Sequence, residues 1–451
     1  MKRLVVIAIM AAFLLGTVGA AQAIQFQAKG DWQMSANYVK NPGFDSDVKD
    51  DPFQAVQRVR TTFEFIANEN LKGVVRFNTG DVRWGARSDR AGGLDVGNRF
   101  NWDFDRAYLD FMIPNSPVNI KAGLQPITLP NNLGSFILDD NVWGVFGSTQ
   151  FNDMVGVTVG WARLADDETS GPAAGDPGRY SKDEIDMLAL IVPVSLDGVQ
   201  LNPFGAVAFA GKNAFNQVGG NADPTSSTHY WVGLSASMDM FDPITVMADF
   251  NFGGNSHFGE NAAEQNIGKA KGWIANLAVA YNMDMFTPMI YGLYESGESR
   301  TSTDAGNTSR VMPTLSGDLW GFSTFGFSGS QFRGNGRARL GQANASAFGP
   351  SGKWGVGFKL VDIAFIDKLT HEFQAGYYQG TNHKDNLGLF TTADKAWEVN
   401  FNSQYQMYEN LAAILELGYM AVDMSARGTD WRGDLADDAA WKAAAGFRYR
   451  F

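Results

Sequence analysis

The chain has 451 residues, 48 acidic and 36 basic side chains for a formal net charge of −12, and no cysteine. That acidity argues against a nucleic-acid partner, and the lack of cysteine excludes disulfides, thiolate nucleophiles and sulfur-ligated metals. Mean hydropathy is slightly polar at −0.18, yet 13% of the residues are aromatic and 51 are glycine.

In chain order, Lys2 and Arg3 precede an apolar run from Leu4 to Val18, and Ala21-Gln22-Ala23 has small-x-small spacing. The run is too short for a spanning helix. The pattern predicts a signal peptide over 1–23 and an exported domain over 24–451. Beyond residue 23 no stretch of 18 apolar residues occurs, which leaves no candidate for a helical span.

Alternation with period two begins at once. Phe26, Ala28, Gly30, Trp32, Met34, Ala36 and Tyr38 share one face, against Gln27, Lys29, Asp31, Gln33, Ser35 and Asn37. Looser versions follow at Val59–Ala67 and Val118–Leu124, and a further strand is expected about Val142–Phe151. Clean versions return at Trp397–Met407 and at Trp441–Phe451. Trp32, Tyr38, Trp161, Tyr281, Trp397 and Trp441 stand near segment ends, where the girdles of a membrane barrel lie. Lipid-facing and water-facing residues that alternate also account for a polar mean hydropathy in an aromatic-rich chain.

Short links (68–70, 114–117, 152–153, 193–197, 239–242, 284–287, 362–368, 408–409) alternate with long polar ones (39–55, 80–102, 126–141, 164–184, 211–228, 254–270, 297–352, 381–394, 423–440). Together they predict an all-β, transmembrane antiparallel β-barrel of 18 strands, with short periplasmic turns and long extracellular loops. Sixteen strands is the alternative if 186–192 and 201–210 are misread.

Catalytic signals are weak. His229, His257, His371 and His383 have no metal-ligand spacing, and Gly355-Val356-Gly357 is only a fragment of a phosphate loop. No enzyme, cofactor or metal site is expected. The inward-facing bases are more informative. Lys29, Arg58, Arg60, Lys72, Arg76, Arg106 and Lys121 on the early strands join Lys442, Arg448 and Arg450 on the last strand. Closure of a barrel brings these into one wall. Inward acids (Asp31, Glu64, Asp110, Asp249, Glu372, Glu398, Glu416) are more dispersed. The link 126–141 carries Phe136, Ile137 and Leu138 before Asp139-Asp140. It is a candidate constriction loop folded into the lumen, with Asp139 and Asp140 facing Arg58, Arg60, Arg76, Arg106 and Lys121 in a transverse field. The alternative is an outer loop touching a neighbouring subunit. Acidic runs (Asp45, Asp47, Asp50, Asp51; Asp166, Asp167, Glu168; Asp434, Asp437, Asp438) are read first as a solvated rim, and second as sites where Ca2+ bridges to lipopolysaccharide. The link 297–352, with Arg333, Arg337 and Arg339, is long enough to cover the mouth or enter the pore.

The last strand carries the most specific motif: polar-x-Gly-x-x-aromatic-x-aromatic, matched by Gly446, Tyr449 and Phe451, with Ala444 where a polar residue is expected. On these residues the chain resembles Gram-negative outer-membrane porins, most of all the homotrimeric porins of sulfate-reducing bacteria. The resemblance implies a homotrimer of water-filled barrels in outer-membrane lipid and lipopolysaccharide. It implies a third loop folded inward, and a C-terminal strand recognised by the barrel assembly machinery. The acidic-aromatic-glycine motif of enterobacterial porins is missing from 126–141. The expected function is passive diffusion of small hydrophilic solutes and ions. The alternatives are a substrate-selective channel for small anions such as sulfate or organic acids, or a non-channel envelope anchor or adhesin.

Overall fold

The computed structural model describes residues 24–41, 44, 52–80, 82–86, 102–166, 184–211, 214, 226–256, 269–299, 309–315, 352–385, 390–424 and 438–451. The expected leader 1–23 lies outside them. So do Arg333, Arg337, Arg339 and, of the acidic runs, Asp45, Asp47, Asp50, Asp51, Asp167, Glu168, Asp434 and Asp437.

All regular structure among the described residues is β. The strands are β1 (Gln25–Lys40), β2 (Phe53–Asn68), β3 (Leu71–Asn78, continued by Val82–Arg83), β4 (Asp103–Met112), β5 (Asn119–Thr128), β6 (Asp139–Gln150) and β7 (Gly156–Ala165). Next come β8 (Ile185–Ile191, continued by Val194–Leu196), β9 (Val199–Ala210), β10 (Ser227–Phe241), β11 (Ile244–Ser256), β12 (Lys271–Tyr281) and β13 (Thr287–Glu295). The last five are β14 (Lys353–Ile366), β15 (Leu369–Gly380), β16 (Lys395–Tyr408), β17 (Leu411–Asp423) and β18 (Ala439–Arg450). Each pairs antiparallel with the next, and β18 returns to β1 with Asp31↔Arg450 through Lys40↔Trp441 in register. The result is a closed 18-strand barrel, as the link pattern predicts. Closure leaves no edge, so the strand backbones satisfy their hydrogen bonds within the wall, which lipid requires.

Both readings of the sequence that left the strand count open resolve to strands. The segment about 142–151 is β6, and 186–192 with 201–210 are β8 and β9. Of the link expected at 193–197, Val194–Leu196 is strand, and the hairpin tip is Asp197-Gly198. Pro193 lacks an N–H, but the ladder continues around it, because the N–H of Val192 donates to the Pro203 carbonyl and the Pro193 carbonyl accepts from Gly156. The 362–368 link likewise shrinks to Asp367-Lys368, with a bulge near Asp362 (φ 55°) inside β14.

The side chains sort by face. On β12, Trp273, Leu277, Val279 and Tyr281 point out, while Gly272, Ile274, Asn276, Ala278 and Ala280 are buried inside. The outer surface is a belt of Val, Leu, Ile and Phe. At the loop end it carries aromatic pairs such as Trp273–Tyr294 (4.6 Å between rings), Tyr377–Trp397 (4.4 Å) and Tyr38–Trp441 (5.2 Å). At the turn end it carries Phe241, Tyr281, Tyr408 and Tyr449. Leaving Leu277 half exposed makes physical sense only against lipid.

Candidate pore lining

The lumen is lined by the side chains that alternation sends inward: polar and charged on most strands, apolar on β6 to β10. The wall from β18 through β1 to β5 is a charged lattice. Lys29 of β1 pairs with Glu64 of β2. Lys72 of β3 lies 3.8 Å from Glu64 and 3.9 Å from Asp110 of β4. Arg76 donates to both carboxylate oxygens of Asp105 at 2.6 and 2.8 Å. Across the closing seam, Arg448 and Arg450 reach Asp31 at 2.5 and 3.7 Å. The expected basic wall is therefore interleaved with carboxylates, while bases remain in excess. The inward-facing side chains of Lys29, Lys72 and Arg450 keep 63%, 37% and 64% of their surface exposed, so solvent enters the lumen beside this wall.

The remaining candidate residues fall as follows. Arg58 is buried and donates to Gln33 at 2.9 Å. Arg60 stands in register with Asp31. Arg76 and Arg106 are register partners, and Arg106 donates to Asn141 at 2.9 Å. Lys121 faces Asp110 across the β4–β5 ladder. Asp139 and Asp140 are exposed and open β6. Asp139 accepts from the Thr128 hydroxyl at 2.7 Å, and Asp140 accepts from the Asn141 N–H. The structure thus joins Arg58, Arg60, Arg76, Arg106 and Lys121 on neighbouring strands. It sets Asp139 and Asp140 at the foot of the segment 129–138.

That segment, between β5 and β6, is held from two sides. Leu129, Phe136, Ile137 and Leu138 are buried with Val142, Phe146, Ala162, Met187, Ala189, Phe204, Ala206 and Trp231, the apolar inner faces of β6 to β10. At its far tip the Asn132 N–H donates to Asp249 Oδ1 (2.9 Å) and its side-chain amide donates to the Ala236 carbonyl (2.7 Å). Leu133 enters a second buried cluster with Tyr291 of β13, Tyr378 of β15, Met420 of β17, Phe44 and Phe390. The chain therefore passes from the β6–β10 wall to inner-face residues of β11 through β17.

Two ion pairs are buried: Lys353 of β14 with Glu295 of β13 at 2.7 Å, and, at the edge of the charged wall, Lys442 of β18 with Glu416 of β17 at 3.6 Å. Gln374 donates to the Tyr291 hydroxyl at 2.9 Å, and that hydroxyl lies 3.2 Å from that of Tyr378. Asp249 was visible in the sequence as an inward acid. Its partner Asn132 sits among loop residues with no periodicity, and nothing local marks it. Among the described residues no group of three His, Cys, Asp or Glu is placed to hold a metal ion, and no helix is long and apolar enough to cross a membrane.

The C-terminal motif lies at the seam. Phe451 exchanges backbone hydrogen bonds with Gly30 (2.7 and 3.1 Å), and its ring covers Gly30 so closely that a Cβ there would lie 2.4 Å from it. At Gly446 a Cβ would lie 2.0 Å from the Met34 carbonyl oxygen.

No protein-family model matches the chain, and no curated protein does. Solved structures match over nearly the whole length. Acinetobacter baumannii OccAB4 is 11% identical, with a TM-score of 0.54 over 96% of this chain and 100% of that one. A. baumannii OccAB3 is 10% identical (0.54; 94% and 99%). Pseudomonas aeruginosa OpdK, crystallised with vanillate, is 13% identical (0.51; 94% and 98%). At these identities the likeness establishes the fold.

Proposed function

We propose that the chain is an outer-membrane porin, a water-filled channel for passive diffusion of small hydrophilic solutes. The observation that carries this is the solvent-exposed, charged inner wall of a barrel whose outer surface is an apolar belt. Eighteen strands enclose more room than side chains alone fill. In this reading the segment 129–138 narrows the lumen and leaves the path against the β18–β5 wall. The porin signature supports insertion by the barrel assembly machinery through Gly446, Tyr449 and Phe451, with the long links outward among lipopolysaccharide. The signature is common to porins, and the solved structures of this fold add no support for the narrower likeness to the homotrimers of sulfate-reducing bacteria. Proteoliposomes in isotonic sugars of graded size test the reading. Swelling should fall with solute size, and tightness to every solute would refute it.

A narrower reading is a channel selective for small anions, such as sulfate or organic acids. The excess of bases on the charged wall favours it, and a protein of the same fold, OpdK, was crystallised with vanillate. Reversal potentials in a salt gradient discriminate, because a strong cation preference excludes an anion-selective wall.

A further inference from the structure

Residues 309–315 are a described piece of the long link between β13 and β14. They lie against the loop end of the barrel and are tied down along their whole length. Ser309 bridges to the chain entering β12: its N–H donates to the Lys269 carbonyl at 2.8 Å, and its carbonyl accepts from Lys271 at 2.9 Å. The Arg310 carbonyl accepts from the Ser296 hydroxyl at 2.6 Å, and that same hydroxyl accepts from the Trp273 N–H at 2.8 Å. The Pro313 carbonyl accepts from the Trp231 indole at 2.7 Å. Met312 is buried in the cluster that holds Leu129 and Phe136 to Leu138. Finally, the Leu315 N–H donates to the Ile137 carbonyl at 3.0 Å.

This contact with β12 requires glycine at one place. A Cβ on Gly272 would lie 2.3 Å from both the Arg310 oxygen and the Met312 nitrogen. Both are backbone atoms that cannot swing aside. Trp231 is the other fixed point: it is 1% exposed and meets the strap through its ring nitrogen and the 129–138 segment through its apolar cluster.

We infer that 309–315 is a strap that positions the constriction segment, with Gly272 and Trp231 as its positioning residues. The strap closes over Phe136, Ile137 and Leu138 from the loop end, while Asp249 holds Asn132 at the tip. A segment pinned at only one of these points has freedom to move across the lumen; pinned at both, it has one position. The inference rests on the reading that 129–138 sets the aperture.

The test is single-channel recording of the full-length protein in planar bilayers. Trp231→Phe removes the donor to Pro313 and keeps most of the ring. Gly272→Ala drives a methyl into the strap backbone. Gly205→Ala is the control, since a Cβ there meets nothing nearer than 3.9 Å. Trp231→Phe and Gly272→Ala should each change open-channel conductance or raise its noise by about two-fold or more, with the control at the wild-type value. A Trp231→Phe channel that is folded and indistinguishable from wild type overturns the inference, even if Gly272→Ala fails to fold. If instead the wild-type protein passes no current, the channel reading itself fails, and the two outcomes are distinct.

Discussion

Lys353 and Glu295 are 3% and 1% exposed and 2.7 Å apart, so each depends on the other for its charge to be tolerated. Lys353→Met should cost about 3–5 kcal/mol in a denaturant titration because it strands a buried carboxylate. The double variant Lys353→Met/Glu295→Leu should recover most of that loss; no recovery would mean that the pair is not what stabilises this site. Asp249 has a different task. It is buried and accepts from the Asn132 N–H at 2.9 Å, so Asp249→Ala leaves a backbone donor unmatched at a cost of about 1–3 kcal/mol. Its channel should show a more variable conductance than wild type, and a steady wild-type current would argue that Asn132 is held by other means. At this scale the sequence was only partly legible. Alternation identified Lys29, Lys72, Glu64 and Asp110 as inward. It did not find Asp105, because the bulge between Arg76 and Phe77 on the β3–β4 ladder shifts the register and brings an out-of-phase residue to Arg76. A one-residue offset reverses facing, and no local pattern announces it.

Among the elements, the β18–β1 seam is where the barrel closes, and it is built with little slack. Gly30 takes the Phe451 ring and Gly446 takes the Met34 backbone. Gly30→Val should therefore reduce the fraction of chain reaching the heat-modifiable, compact form on unheated gels, whereas Gly73→Ala, whose Cβ would meet only a Leu109 methyl at 3.8 Å, should not. Equal folded fractions would show that the ring seat is dispensable. The belt makes a second prediction. Leu277 faces outward, 52% exposed, in mid-strand. Leu277→Arg should destabilise by about 2–4 kcal/mol in lipid, measured by urea-induced unfolding in vesicles; a neutral result would mean that this face does not meet hydrocarbon. Strand existence was readable wherever both faces kept period two, as in β1, β16 and β18. It was obscured on β6 to β9. There the inner face is itself apolar, carrying Val142, Phe146, Met187, Phe204 and Ala208 to hold the 129–138 segment, so polarity no longer alternates. The strap at 309–315 lies in a glycine- and serine-rich link, and only contacts distant in sequence define it.

For the whole molecule, two surfaces with opposite solvents explain the composition. The belt uses aromatic and aliphatic residues, and the lumen uses the charges, so the mean hydropathy of −0.18 describes neither. The lumen is also divided. Apolar packing of 129–138 occupies the side of β6 to β10, and on the ion-paired lattice of β18 and β1 to β5 the side chains of Lys29, Lys72 and Arg450 reach solvent. In the proposed channel, a solute path running off-centre along that lattice would pass bases and acids, with bases in excess. The most direct test of the central claim is current through the purified, folded protein in a planar bilayer. A water-filled channel should give stepwise conductance increments of uniform size that rise with salt concentration. A protein that inserts and stays folded, yet leaves the bilayer as tight as lipid alone, would contradict that claim.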